Sequence, residues 1–193
     1  MNYLKVLVDQ ENTLFILLFW EGEVWKRLDK ALFFRKLKPL FFVTSLEEAE
    51  RVFLGIEEKV AKSFAVNSLT KKAQLSSELV KKMSDKGISQ EVIFTVIAFC
   101  EKIGALEDRQ ILENRIQKEF RKGHGLLYAK AKWQRSEGED PFDWNSLENR
   151  SLEKESALQL VRKKKDKKDL FRFLLGKGFR SDVIKEVLNS EIK

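Results

Sequence analysis

"ELVKKMSDKGISQEVIFTVI", residues 78–97, lies over "DLFRFLLGKGFRSDVIKEVL", residues 169–188, at a constant offset of 91 and without a gap. Leu79 falls on Leu170, Val80 on Phe171, Met83 on Leu174 and Ile88 on Phe179. The dyads Val92-Ile93 and Val96-Ile97 fall on Val183-Ile184 and Val187-Leu188. What the two stretches share is an apolar ladder at helical spacing, broken by a "KG" junction at Gly87 and Gly178. Glycine after a helix adopts the left-handed conformation that other residues avoid, so the chain turns there into a second helix. Surface positions differ, as they do when two copies hold only a core in common.

The offset is about twice the length of a three-helix unit, which leaves room for one more copy between. Residues 108–150 occupy that room, with "DRQILENRIQKEFRKG", "LLYAKAKWQRSEG" and "DPFDWNSLENR" as three helices. Pro141 stands near the start of the third, where a first-turn amide needs no partner. The expected fold is mainly α: three tandem three-helix repeats in an elongated, curved array, each leaning on its neighbour. The repeats take residues 56–104, 105–150 (a degenerate copy) and 151–193, after an N-terminal module, 1–55, that contains a β-hairpin. In that module "TLFILLFW", "EGE" and "VWKRL" have the form of two strands and a Gly-containing loop. Pro39 breaks the helix that "KALFFRKL" begins. Ser45 and Glu48 have the spacing of a capping box, opening a short helix from about Leu46 to Leu54 that Gly55 ends.

The 193 residues are 43% hydrophobic and 35% charged, with two prolines, which favours a helix-rich soluble chain. The longest apolar run, "LFILLFW", is far too short to span a bilayer, and the N-terminus lacks the basic and small-residue marks of a secretory signal. A single cysteine rules out an internal disulfide and fits a reducing cytoplasm. Cys100 sits on an apolar stripe and is expected to fill core. No membrane contact and no cofactor is expected, and a monomer is.

The net charge of +7 is unevenly spread. Residues 109–135 hold eight Lys/Arg against two Asp/Glu, and residues 162–180 hold nine against two, so the rest of the chain is at −6. Such segregation points to a polyanion or an acidic protein, with a merely solvated face as the bland alternative. The basic residues off the apolar stripes are the candidate contacts. In the middle copy these are Arg115, Lys118, Arg121, Lys122, Lys130, Lys132 and Arg135. In the last they are Lys163, Lys164, Lys165, Lys167, Lys168, Arg172 and Lys177. Lysine meets phosphate as a mobile point charge, so any nucleic-acid binding is expected to ignore sequence. His124, between two glycines, either stabilises the last carbonyls of its helix or contacts phosphate or a partner. Trp133 and Trp144 are expected to anchor a thin core, with base stacking as the alternative. Phe171 and Phe179 align with Val80 and Ile88 and are therefore placed in the core.

Catalytic constellations are missing. One His and one Cys cannot build a His/Cys metal cage, "GKGF" lacks the spacing of a phosphate loop, and no nucleophile, base and orienter come together.

Three segments in order carry a family likeness: "ELVKKMSDKGIS" with "EVI", then "CEKIGALEDRQILENRIQKEFRKGHG", then "RFLLGKGFRSDVIKEVL". Together they resemble RecX, the bacterial modulators of the recombinase RecA. The family's Gly-Tyr-Leu-Asp-Asp type junction is matched by Gly104-Ala105-Leu106-Glu107-Asp108, with alanine in place of the aromatic. Its basic helix end is matched by Arg121-Lys122-Gly123-His124-Gly125. The middle copy lacks the family's usual charged helix ending in Lys-Gly. The likeness covers residues 56–190. It implies a protein without catalysis of its own that binds the RecA–single-stranded DNA filament and restrains ATP hydrolysis, filament growth and strand exchange. A helical-repeat protein that binds bare DNA weakly, regardless of sequence and without RecA, is the alternative.

Overall fold

A computed structural model describes residues 4–137, 150–164 and 169–191, the side chains of 135–137 and 191 excepted. Residues 140–149, assigned above to the third helix of the middle copy and including Pro141 and Trp144, lie outside them. Residues up to Asp108 form one compact unit and those from Arg109 a second.

The first unit opens with three antiparallel strands in the order β1 (Leu4–Val8), β2 (Phe15–Trp20), β3 (Glu23–Asp29). The hairpin expected at "EGE" is present, and β1 adds a third strand to it. Ile16, Leu18 and Trp20 alternate inward on β2, the period-two pattern of a sheet with one face on the core. Glu21 (φ 50°) and Gly22 (φ 94°) make the two-residue, left-handed turn whose twist suits a hairpin. Asp9 ties the other turn down: its carboxylate accepts from the Glu11 amide at 2.9 Å and from Arg27 Nε on β3 at 2.7 Å.

After β3 come a single helical turn, α1 (Lys30–Phe33), and two 3-10 segments, the second containing Pro39. Then α2 runs unbroken from Leu46 to Lys71. The short helix expected to stop at Gly55 is thus corrected: Gly55 lies inside α2, in space so open that an added Cβ would meet nothing within 4 Å. A helix tolerates one interior glycine at about 1 kcal/mol, which Ala49, Phe53, Val60, Ala61 and Ala65 offset by burying one face. Ser45 Oγ accepts from the Glu48 amide as expected, but Glu48 reaches back to the Thr44 amide rather than to that of Ser45.

The two aligned stretches form α3 (Ser76–Ser84) with α4 (Gln90–Lys102), and α8 (Leu170–Gly176) with α9 (Ser181–Glu191). Both junction glycines have φ +80°. The Ile88 amide donates to Met83 O, and the Phe179 amide, 91 residues on, to Leu174 O, each 3.2 Å. This six-to-one bond satisfies carbonyls that a helix end leaves open. The likeness extends to partners outside the stretches. Lys86 O accepts from the Asp29 amide, and Lys177 O from the Gly125 amide. A Cβ on Gly87 would stand 2.3 Å from Arg27 O, and one on Gly178 2.5 Å from the Tyr128 amide nitrogen, so close backbone packing requires both glycines.

A buried carboxylate finishes each junction. Glu57, on α2, accepts from the Ser89 amide (2.6 Å) and hydroxyl (3.0 Å) at the start of α4. Glu153, on α7 (Arg150–Lys163), accepts from the amide (3.2 Å) and Nε (2.8 Å) of Arg180 at the start of α9. Ser89 and Arg180 stand at the same aligned position. Orphan amides and the positive end of the helix dipole favour a carboxylate at both places.

The first unit's core joins Ile16, Leu18, Phe33, Phe53, Met83, Ile93 and Cys100. Cys100 fills core as expected, and burial pushes its thiol pKa up. In the second unit Phe179, Val183, Ile184 and Val187 pack on Ala157, Val161 and Leu174. Phe179 is fully buried as its alignment requires, but Phe171 is exposed. Its partner Val80 is itself only half-buried.

Candidate functional site

Helices α5 (Asp108–Arg121) and α6 (Leu126–Glu137) are the first two helices expected of the middle copy. The chain turns between them at Gly123 (φ 79°), with the His124 amide bonded back to Glu119 O at 3.0 Å. On α5, Arg115, Lys118 and Lys122 stand at i, i+3 and i+7, so they share one side of the helix. On α6, Ala129, Lys132 and Trp133 turn towards it. Between the helices lies a cavity of about 250 Å³ with a floor of Leu112, Ile116, Ala129 and Trp133. Arg115, Lys118, Lys122 and Lys132 line it, four of the residues predicted to make contact.

Their organiser is a residue the sequence reading passed over. Glu119, 8% exposed, accepts from Lys122 Nζ and Lys132 Nζ at 2.9 Å each through Oε1. Its Oε2 takes the His124 Nδ1–H, also at 2.9 Å. Burial works against the ionised carboxyl, but the three hydrogen bonds outweigh it and hold the pKa at about 2. Lys132 is held cationic in return by its bond to Glu119 and the charge there. His124 stacks on Tyr128 with ring centroids 3.9 Å apart. Its ring thus bonds the Glu119 carboxylate rather than the last carbonyls of α5. Trp133 is buried at 5% exposure and Arg115 lies over its ring at 5.7 Å, so the indole is an anchor rather than a stacking face. One signal was available: Glu119 is a lone acid within the basic end of a helix, at i−3 from Lys122.

The remaining candidates are dispersed. Arg121 is on another side of α5, lining a cavity of about 180 Å³ with Gln117, Leu152 and Gln159. Lys130 is half-buried on α6. Lys163 is exposed at the end of α7, and Lys164 Nζ lies 4.5 Å from the centre of the Phe173 ring. Arg172 is exposed on α8 and Lys177 sits at the α8–α9 turn. Lys165, Lys167, Lys168 and the side chain of Arg135 lie outside the described residues.

The arrangement can hold anions by charge over an apolar floor; nothing in it reads a base edge. Among the described residues no group of three His, Cys, Asp or Glu could hold a metal ion, and no helix is long and apolar enough to cross a membrane.

Fold and site together define a class: mainly helical proteins, with a small antiparallel sheet, that present gathered basic side chains. No family model matches the chain. A regulatory protein RecX of Legionella pneumophila is 30% identical over 140 residues, 67% of this chain and 92% of its own length. One of Haemophilus influenzae is 27% identical over 141 residues, 67% and 93% of the two chains. The chain belongs to the RecX family, whose matched relatives are named regulatory proteins. Two solved structures share the fold. A crystal structure of a regulatory protein RecX covers 98% of this chain and 100% of its own at TM-score 0.57 and 12% identity. That of RecX from Lactobacillus salivarius covers 69% and 96%, with TM-score 0.57 and 18% identity.

Proposed function

We propose that this protein regulates RecA by binding the RecA–single-stranded DNA filament, lowering its ATP hydrolysis, growth and strand exchange without catalysis of its own. In this reading it works as a monomer in the cytoplasm. Its helices form three tandem three-helix units, with boundaries near residues 56, 105 and 151. Membership of a family of regulatory proteins supports the role. The observation that carries the mode of binding is the meeting of Arg115, Lys118, Lys122 and Lys132 around one cavity, two of them held by the buried carboxylate of Glu119. Fixed cations lose less freedom on meeting phosphate or acidic side chains than mobile ones do. The exposed Lys163 and Arg172 are further contacts, together with Lys165, Lys167 and Lys168.

The test is DNA-dependent ATP hydrolysis by RecA as this protein is titrated in. Hydrolysis is expected to fall before the two proteins are equimolar; an unchanged rate beyond equimolar protein contradicts the proposal. The charge surplus in residues 109–135 and 162–180 favours one rival, a DNA binder that acts without RecA. That rival predicts strong binding to bare single strands, lost steeply with salt.

A further inference from the structure

The first unit carries another basic surface, which the filament reading does not use. The segment from α1 through the 3-10 turns runs beside the C-terminal half of α2 and leaves a cavity of about 590 Å³. Its floor is apolar: Ile56, Val60 and Phe64 rise from α2 at i, i+4 and i+8, with Leu32 and Pro39 opposite. Lys36 ends the first 3-10 segment, and Lys59 and Lys71 stand on α2 about 120° apart around its axis, all three exposed at the groove. No carboxylate lines the groove, and among the described residues none of these lysines has an ion-pair partner. Lys59 and Lys71 are separated by about 18 Å along the helix, about three and a third turns.

From this geometry we infer that the groove is a docking site for an amphipathic, acidic helix of a partner protein. Apolar side chains of the incoming helix at i, i+3 or i+4, and i+7 seat over Ile56, Val60 and Phe64. Asp or Glu on the flanks of that helix meet Lys36, Lys59 and Lys71, which stand at three separate points around the groove. A nucleic acid fits less well. The floor is mainly aliphatic, with one half-buried ring, and offers no row of stacking faces. A lipid surface fits less well again, because the apolar strip is concave rather than protruding. The inference is independent of RecA.

The full-length protein is titrated against a fluorescein-labelled synthetic helix with leucine at the anchor positions and glutamate on both flanks, read by anisotropy. A peptide with lysine in place of glutamate and a labelled oligothymidylate are run alongside. Wild-type protein binds the glutamate peptide. The combined Lys36→Glu, Lys59→Glu and Lys71→Glu changes weaken it at least about tenfold and shift preference to the lysine peptide. Ser63→Glu, a single change at an exposed groove position, acts in the same direction should the triple variant fold poorly. The inference is overturned if wild-type protein ignores the glutamate peptide, or if both variants bind it unchanged. It is also overturned if the reversals remove oligothymidylate binding and spare the peptide.

Discussion

At Gly178 the backbone has φ +80° and a Cβ would enter the backbone of Tyr128; at Gly55 the backbone is helical and the space open. Two alanine substitutions therefore have opposite signs. Gly55→Ala raises unfolding free energy by about 0.5–1 kcal/mol, the helix-interior cost of glycine. Gly178→Ala lowers it by more than about 1 kcal/mol, since alanine disfavours the left-handed region and has no room there. Urea denaturation of both variants checks the pair; equal effects would mean the α8–α9 turn is not built as described. Glu153 is fully buried and accepts from the Leu126 amide and from the amide and Nε of Arg180. Glu153→Gln is expected to cost about 3 kcal/mol or more in the same measurement. Glu119 adds a pH dependence. Its folded pKa of about 2 lies below the ordinary 4.5, so its ionised form favours the fold above pH 4.5. That contribution fades as pH falls through the window from 4.5 towards 2. The difference in Tm between wild type and Glu119→Gln should therefore shrink on acidification across that window; a constant difference contradicts the clamp.

At the scale of elements, α5 has two kinds of lysine. Lys122 is tied to Glu119, whereas Lys118 is exposed on the same side. Lys118→Glu is expected to change stability by no more than about 0.5 kcal/mol and to weaken filament binding. For a phosphate contact, Lys118→Ala reduces the slope of log affinity against log salt by about 1. An unaltered affinity would place the interface elsewhere. These helices and their order were legible in the sequence because apolar ladders and junction glycines are local signals. Gly55 misled because one glycine can end a helix or sit inside it, and the outcome rests on the face that α2 buries against the sheet and helices. Glu153 gave no sign, since its donors come from Leu126 and Arg180, far away in sequence and brought near only by packing. Phe171 shows a further limit: alignment to Val80 transfers the position but not the depth of burial.

Over the whole molecule, the net charge of +7 conceals a sharp division. The first unit carries sixteen Lys/Arg and sixteen Asp/Glu, so the entire surplus belongs to residues 109–193. Charge of that kind alone would give indiscriminate binding to any nucleic acid. The α5–α6 cluster differs from a loose basic surface in being fixed: a buried carboxylate holds two of its lysines, and a tryptophan lies beneath an arginine. A fixed pattern of cations matches one surface better than others, and under the proposed function this becomes a preference for the filament over its DNA. The most direct test is the affinity of this protein for a fluorescent single strand, bare and coated with RecA, at about 0.15 M salt, where loose charge attraction is largely screened. Tight binding to the coated strand, lost on joint reversal of Arg115 and Lys118 and far exceeding that to the bare strand, is the expected result. Equal binding to both strands, or none to the coated one, would contradict it.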